Sequence, residues 1–320
     1  MNSNSLSEPK KVKGAKVKNE ALRQKIISDN KNKCMPYTLE EIQTCKNITL
    51  EKRLKDFKNL CDFKADTNPK KFCGNNCLYH YQFKNLLKCK REKGSTIEEI
   101  FSNEGTKNKL WVDTIKRNRR KNAIVPSPTD VYEAHRINTG AIVFFKASTA
   151  KYIYKKYNAT SVLDFSMGWG GRLLGAMALD INYIGVDTNI NLKQGYENMI
   201  TDLQGNKNKI KLLWQSCLDI DYSKYDYDLI LTSPPYINME MYENMTPFEN
   251  DKIFYEEFLI PTMDKSFQHL KQGGKMCINI SPKMFKSLIQ HGYRAPDEQI
   301  DLRQQLGKKP SQDYIYVWSK

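Results

Sequence analysis

The chain predicts an α/β fold built on a doubly wound, mostly parallel sheet, with a basic and mostly helical region ahead of it. Three observations predict it. Short apolar runs alternate with helical stretches through residues 129–320. A glycine-rich and a proline-rich corner each follow one of those runs. The positive charge is gathered almost wholly upstream of them.

The charge distribution separates the regions. The 320 residues carry a net charge of +15. Residues 1–130 hold 29 Lys and Arg against 15 Asp and Glu, a surplus of 14, whereas residues 131–320 hold 22 against 21, a surplus of 1. That asymmetry points to a basic module beside a charge-balanced domain, with a polyanion as its natural partner. A merely solubilising surface is the plain alternative. No apolar run of about 18 residues occurs, so no membrane span is expected. Residues 1–6 lack the apolar stretch of a secretory signal. The expected setting is intracellular, in cytoplasm, nucleus or nucleoid, where the eight cysteines serve as thiols or metal ligands rather than disulfides.

Residues 1–30 read as a disordered basic tail, without hydrophobic periodicity. Residues 31–128 read as a basic helical region for holding nucleic acid. Within it, Thr38 with Glu41 and Thr96 with Glu99 have the spacing of helix-starting capping boxes. The cluster Lys116-Arg117-Asn118-Arg119-Arg120-Lys121 precedes Pro126 and Pro128, a proline pair that marks a boundary. Residues 129–320 are the expected catalytic domain. Its candidate strands are 161–164, 183–187, 209–214, 227–232, 275–280 and 314–318, with helices at 172–179 and 254–270.

The first strand ends at Asp164 and runs through Ser166 into Gly168-Trp169-Gly170-Gly171. A glycine turn before a helix lets backbone amides approach a ligand closely. The second strand ends in Asp187, about 20 residues after the first glycine, where doubly wound folds place a ribose-binding acid. This pair points to an adenosine-containing cofactor and does not choose between a dinucleotide and S-adenosylmethionine.

The choice comes from Thr232-Ser233-Pro234-Pro235-Tyr236 after the fourth strand. An exocyclic base amine is a poor nucleophile because its lone pair is delocalised into the ring. A catalyst must accept its N–H bonds, favour a pyramidal nitrogen and aim the lone pair at a methyl donor. Ser233 and the Pro234 carbonyl supply acceptors on a stiff corner, Pro235 removes a competing amide donor, and Tyr236 offers a face to a flipped base. A plain strand-ending turn is the bland reading of the same residues.

These motifs resemble the amino-methyltransferases of DNA, over roughly residues 140–320, and in particular a subgroup with Gly-Trp-Gly-Gly-Arg and Ser-Pro-Pro-Tyr followed by Glu-x-Tyr, here Glu240 and Tyr242. The resemblance implies a Rossmann-like sheet binding S-adenosylmethionine. By it, Asp164, Ser166, Gly168 and Gly170 would hold the methionine end, Asp187 the ribose, and Phe145 the amino-acid moiety. Gln215 or Ser216 would meet the adenine, in place of the Asp-Ser pair usual there. Ser before Pro-Pro is more familiar in cytosine-N4 enzymes, Asp or Asn in adenine-N6 enzymes, so the expected target is cytosine N4 or adenine N6. Tyr242 or Phe248 would line the base pocket or belong to the core.

DNA is the expected partner ahead of RNA. An RNA base or protein glutamine amide would present a similar planar nitrogen. A nucleic-acid-binding protein with a degenerate cofactor site, hinted at by Gln215, is the rival of a different class. Cys61, Cys73, Cys77 and Cys89, with His80 among them, would serve as ligands of a structural zinc or as buried thiols. His135 and Arg136 are expected to be structural or to contact phosphate.

Overall fold

The computed structural model describes residues 34–67, 73–91, 94–118, 126–140, 142–237, 240–241, 248–302 and 314–320. The expected tail, Arg119, Arg120, Lys121 and Tyr242 lie outside them. Two compact units emerge: the described parts of Met1–Cys45 with Gly94–Ala141, and Lys46–Lys93 with Ile142–Lys320.

The smaller unit is helical. Helix α1 (Leu39–Thr44) starts at Thr38, whose hydroxyl accepts from Glu41 N while Glu41 accepts from Thr38 N, as a capping box requires. Helix α4 (Ile97–Phe101) starts the same way at Thr96 and Glu99, and helix α5 (Glu104–Arg117) follows. Helix α6 (Pro128–Thr139) starts at the second proline of the pair. Pro128 is its first residue, where a missing N–H costs nothing, and Ser127 N donates to Asp130 Oδ2 at 2.7 Å. The unit closes over Ile42, Ile97, Trp111, Ile115 and Val131, all buried.

The larger unit takes two helices that the sequence reading had grouped with the basic region. Helix α2 (Leu50–Asp62) and helix α3 (Asn75–Leu87) belong with the sheet, because their polar ties run to its helices. Arg53 pairs with Asp202 at 2.8 Å, and Gln82 Nε2 donates to Leu192 O at 3.2 Å. Lys151, 3% exposed, donates to the carbonyls of Leu60 at 2.9 Å and Cys61 at 2.7 Å. A cation there meets the negative end of α2, a contact worth up to about 2 kcal/mol when partly buried. The two compact units are thus interleaved along the chain.

The sheet has seven strands: β2 (Ser161–Asp164), β3 (Asn182–Val186), β4 (Ile210–Leu213), β5 (Leu229–Thr232), β7 (Lys275–Ile280), β8 (Glu298–Asp301) and β9 (Tyr314–Ser319). Their order is β4-β3-β2-β5-β7-β9-β8, with β9 alone reversed among them. β2 and β5 are buried at every position, the near-continuous apolar pattern of central parallel strands. The helices that position the site are α7 (Ala147–Lys156), α8 (Gly171–Met177) and α9 (Lys193–Asp202). Beyond the sheet's centre, a π-helical stretch (Ile253–Leu259) continues into α10 (Ile260–Gln268), and α11 (Pro282–Gln290) follows β7.

β8 escaped the sequence reading. Glu298-Gln299-Ile300-Asp301 has one buried apolar residue, enough for an edge strand but too little to stand out. A separate two-stranded ribbon was also unforeseen. β1 (Lys90–Arg91) pairs antiparallel with β6 (Glu240–Met241), Lys90 opposite Met241 and Arg91 opposite Glu240.

Candidate active site

Strand order reverses between β2 and β5, which are parallel neighbours registered through Val162 with Leu229 and Leu163 with Ile230. Doubly wound sheets bind ligands at the carboxyl ends of strands flanking such a switch. The glycine turn leaves the carboxyl end of β2, and Ser233-Pro234-Pro235-Tyr236 leaves the carboxyl end of β5. Two motifs 60-odd residues apart in sequence thus arise side by side on one edge.

The glycine turn is held from several directions. Met167 N donates to Val186 O at 2.9 Å, and Tyr196 OH reaches the carbonyls of Met167 at 3.0 Å and Gly168 at 2.8 Å. Gly170 has φ +89°, a conformation side chains resist, and a Cβ there would stand 2.9 Å from Met199 Cε. Gly171 opens α8, and a Cβ there would fall 1.9 Å from the Phe145 carbonyl oxygen. That glycine permits the segment before α7 to lie directly on the turn.

Asp187, one residue past β3, closes the turn. Its Oδ2 accepts from Gly168 N at 2.8 Å and its Oδ1 from Asn189 N at 2.9 Å. Burial pushes its pKa up, and the two backbone N–H groups pull the other way. Each carboxylate oxygen retains a lone pair beyond these bonds. A Cβ at Gly168 would make only ordinary contacts, with Ser166 O at 3.8 Å and Arg172 Nη2 at 4.0 Å.

Asp164 lies at the end of β2, beneath the turn. Its side chain is 0% exposed and turned inward: Oδ2 accepts from Arg172 Nε and from Tyr183 OH, each at 2.6 Å. Oδ1 faces Ser166 N at 3.4 Å. The carboxylate holds the turn from beneath. Phe145 is half-buried, with the Arg172 guanidinium 5.1 Å over its ring.

Past β4, Gln215 is exposed, while Ser216 Oγ accepts from Leu218 N at 3.2 Å as a helix-starting cap. Cys217 is buried beside Thr262, with Sγ and Oγ1 3.6 Å apart, and burial pushes its thiol to about 11, the state of an inert thiol.

At the proline corner, Ser233 Oγ donates to Asn279 O at 3.2 Å, across the β5–β7 boundary. A hydroxyl has one proton, so this bond commits it and leaves the lone pairs as acceptors. Pro234 is buried, and Pro235 and Tyr236 are half-buried. Tyr236 packs along the edge of the core formed by β2, β3, β5, β7 and the following helices. Phe248 is half-buried and packs against that core, its ring 4.9 Å from Phe254 and 5.3 Å from Phe258.

The zinc expectation is corrected. Among the described residues no group of three or more Cys, His, Asp or Glu is placed to hold a metal ion. Cys77 donates to Arg53 O at 3.3 Å and its thiol is pushed up to about 12 by burial; Cys89 donates to Asn85 O at 3.4 Å; Cys61 is exposed. Cys73 is half-buried, and His80 Nδ1 accepts from Ile48 N at 3.2 Å.

His135 and Arg136 sit on α6 in the smaller unit. His135 is buried, and Arg136 pairs with Glu133 at 2.9 Å. Sequence reasoning missed Tyr183 and Tyr196, whose hydroxyls brace the turn; as ordinary strand and helix tyrosines they carry no local signal. It also missed the β1–β6 pairing, which brings Lys90 and Arg91 to the segment four residues beyond Tyr236.

No protein-family model matches this chain, and no curated protein matches it. Solved structures similar to it include TrmN from Thermus thermophilus, at 14% identity and TM-score 0.41, covering 55% of this chain and 49% of that one. An rRNA methylase from Streptococcus thermophilus matches at 14% identity and TM-score 0.40, covering 56% of this chain and 99% of that one. A SAM-dependent O-methyltransferase from Thermotoga maritima matches at 10% identity and TM-score 0.38, over 57% and 69%. The chain spans about half the length of the first of these. No helix among the described residues is long and apolar enough to cross a membrane.

Proposed function

We propose that this chain is an S-adenosylmethionine-dependent methyltransferase acting on an exocyclic amine of a DNA base, cytosine N4 or adenine N6. The observation that carries the proposal is the placement of the glycine turn and of Ser233-Pro234-Pro235-Tyr236 at the carboxyl ends of the adjacent strands β2 and β5.

The residues present fit the donor. The remaining lone pairs of Asp187 suit the hydroxyls of a ribose. Phe145, Ser166 and Gly170 would bound the amino-acid end, and Gln215 and Ser216 the adenine. When bound, the donor supplies an electrophilic methyl on a sulfonium. Ser233 Oγ and the Pro234 carbonyl accept from the two amine N–H groups, which favours a pyramidal nitrogen and aims its lone pair. Tyr236 stacks on the extruded base. The methylated amine would then shed one proton to solvent. No strong base is needed, and none is assigned.

The ribbon supports a nucleic-acid partner. It sets a basic strand next to the segment that follows the proline corner, within a chain whose charge surplus lies upstream.

The test is incubation of the full-length chain with methyl-labelled donor and separate DNA, RNA and protein pools. Label on a DNA base amine is the expected result. Label confined to RNA or to protein would replace the substrate. No label in any pool, with no heat of cofactor binding but intact DNA binding, would leave a nucleic-acid-binding protein instead.

A further inference from the structure

Arg172 touches three groups expected at the donor site. Its Nε donates to Asp164 Oδ2 at 2.6 Å, and its guanidinium lies 5.1 Å over the Phe145 ring. A terminal nitrogen donates to the Ser166 carbonyl. The side chain is 4% exposed and its partner Asp164 0%. Burial is the largest single influence and works against the charge on Arg172, but the Asp164 carboxylate, its hydrogen bond and the neighbouring Tyr183 and Tyr154 together raise the pKa. Tyr183 OH donates to the same Oδ2 at 2.6 Å, and Tyr154 OH donates to the Arg172 carbonyl at 3.0 Å.

A buried ion pair is a poor source of stability, because desolvation offsets most of the attraction. What this pair supplies is geometry. The planar fork of an arginine can serve a carboxylate, a carbonyl and a ring face together, which a lysine cannot. Here the three partners come from the end of β2, the turn after it and the segment before α7.

We infer that Arg172 is the positioning residue of the donor site: it fixes Ser166 and Phe145 in place, and Asp164 acts through Arg172 rather than as a ligand. The inference rests on the methyltransferase reading for its second half only. That Arg172 holds the turn stands apart from what the turn binds.

Arg172→Lys keeps a cation beside Asp164 and loses the fork. Two readouts decide its effect. In the protein without donor, amide hydrogen exchange at residues 166–168 should quicken by about tenfold, with β2 and β3 unchanged. Affinity for S-adenosylhomocysteine, by calorimetry, should fall by about tenfold while the melting temperature shifts by only a few degrees. Wild-type exchange in the turn overturns the inference, as does loosened exchange with wild-type affinity. Should the wild-type chain take up no S-adenosylhomocysteine, the proposed function falls, and exchange alone decides whether Arg172 holds the turn. If the lysine variant does not fold, Phe145→Leu removes the ring and spares the buried pair. It should weaken binding by a few fold, and unchanged affinity would count against the inference.

Discussion

Gly168 donates its backbone N–H to Asp187 Oδ2 at 2.8 Å, tying the first glycine of the turn to the acid beyond the neighbouring strand. Asp187→Asn should keep one accepting oxygen and present an amide donor to another. The turn then loses a charge-assisted bond, at a cost of about 1–3 kcal/mol. Donor affinity should fall by about tenfold or more, read by calorimetry. An unchanged affinity would show that the acid serves the turn without serving the ligand.

Gly171→Ala tests the close approach of Phe145. The added Cβ would meet a backbone oxygen at 1.9 Å, and a backbone cannot step aside as a flexible side chain can. Overpacking of this kind costs about 1–3 kcal/mol or more. The midpoint of urea unfolding should drop accordingly, and donor binding should weaken with it.

Ser233→Ala and Tyr236→Ala should separate chemistry from cofactor binding. Loss of the Ser233 acceptor should lower kcat by about 10²–10³-fold, the range for removing one preorganised group. Tyr236→Ala should lower methyl transfer more than donor affinity. Equal losses of both quantities would remove the stacking role.

Lys90→Glu with Arg91→Glu addresses the ribbon in the full chain. Deleting the upstream region would be a poor test, since α2 and α3 pack into the larger unit. If both side chains meet phosphates, log affinity plotted against log salt should become shallower by about 2. An unaltered slope would place the polyanion contact elsewhere.

His135 predicts the acid side of the stability curve. It is 6% exposed, burial lowers its pKa to about 4, and Nδ1 has no hydrogen-bond partner among the described residues. The unfolded chain therefore binds a proton that the folded chain refuses between about pH 6.5 and 4. Stability should fall as pH drops through that window, by up to about 3 kcal/mol from this group. His135→Gln should flatten that limb of a pH–stability profile measured by denaturant unfolding.

Capping boxes, the central strands and the two corners were legible in the chain because each is a local matter. Thr38 and Thr96 need only an acid three residues on, and β2 and β7 begin and end where their apolar runs do. The backbone at both corners was legible for the same reason, since glycines and prolines announce backbone shape without a partner. Pro128 opens a helix, a place that a proline pair in sequence does not distinguish from a linker. Spacing left the cysteines open between zinc ligands and plain thiols, because ligand spacing in sequence does not say which side chains converge.

By itself, then, the sequence determined the alternation of strands and helices, the two corners and the charge asymmetry, all set by neighbours within a few residues. Only the tertiary structure decided that β2 and β5 lie side by side, that α2 and α3 belong with the sheet, and that Asp164 faces inward to Arg172 and Tyr183. Those outcomes depend on which buried polar groups find each other across long separations. A buried carboxylate must be met by donors, and no local pattern says from where they come.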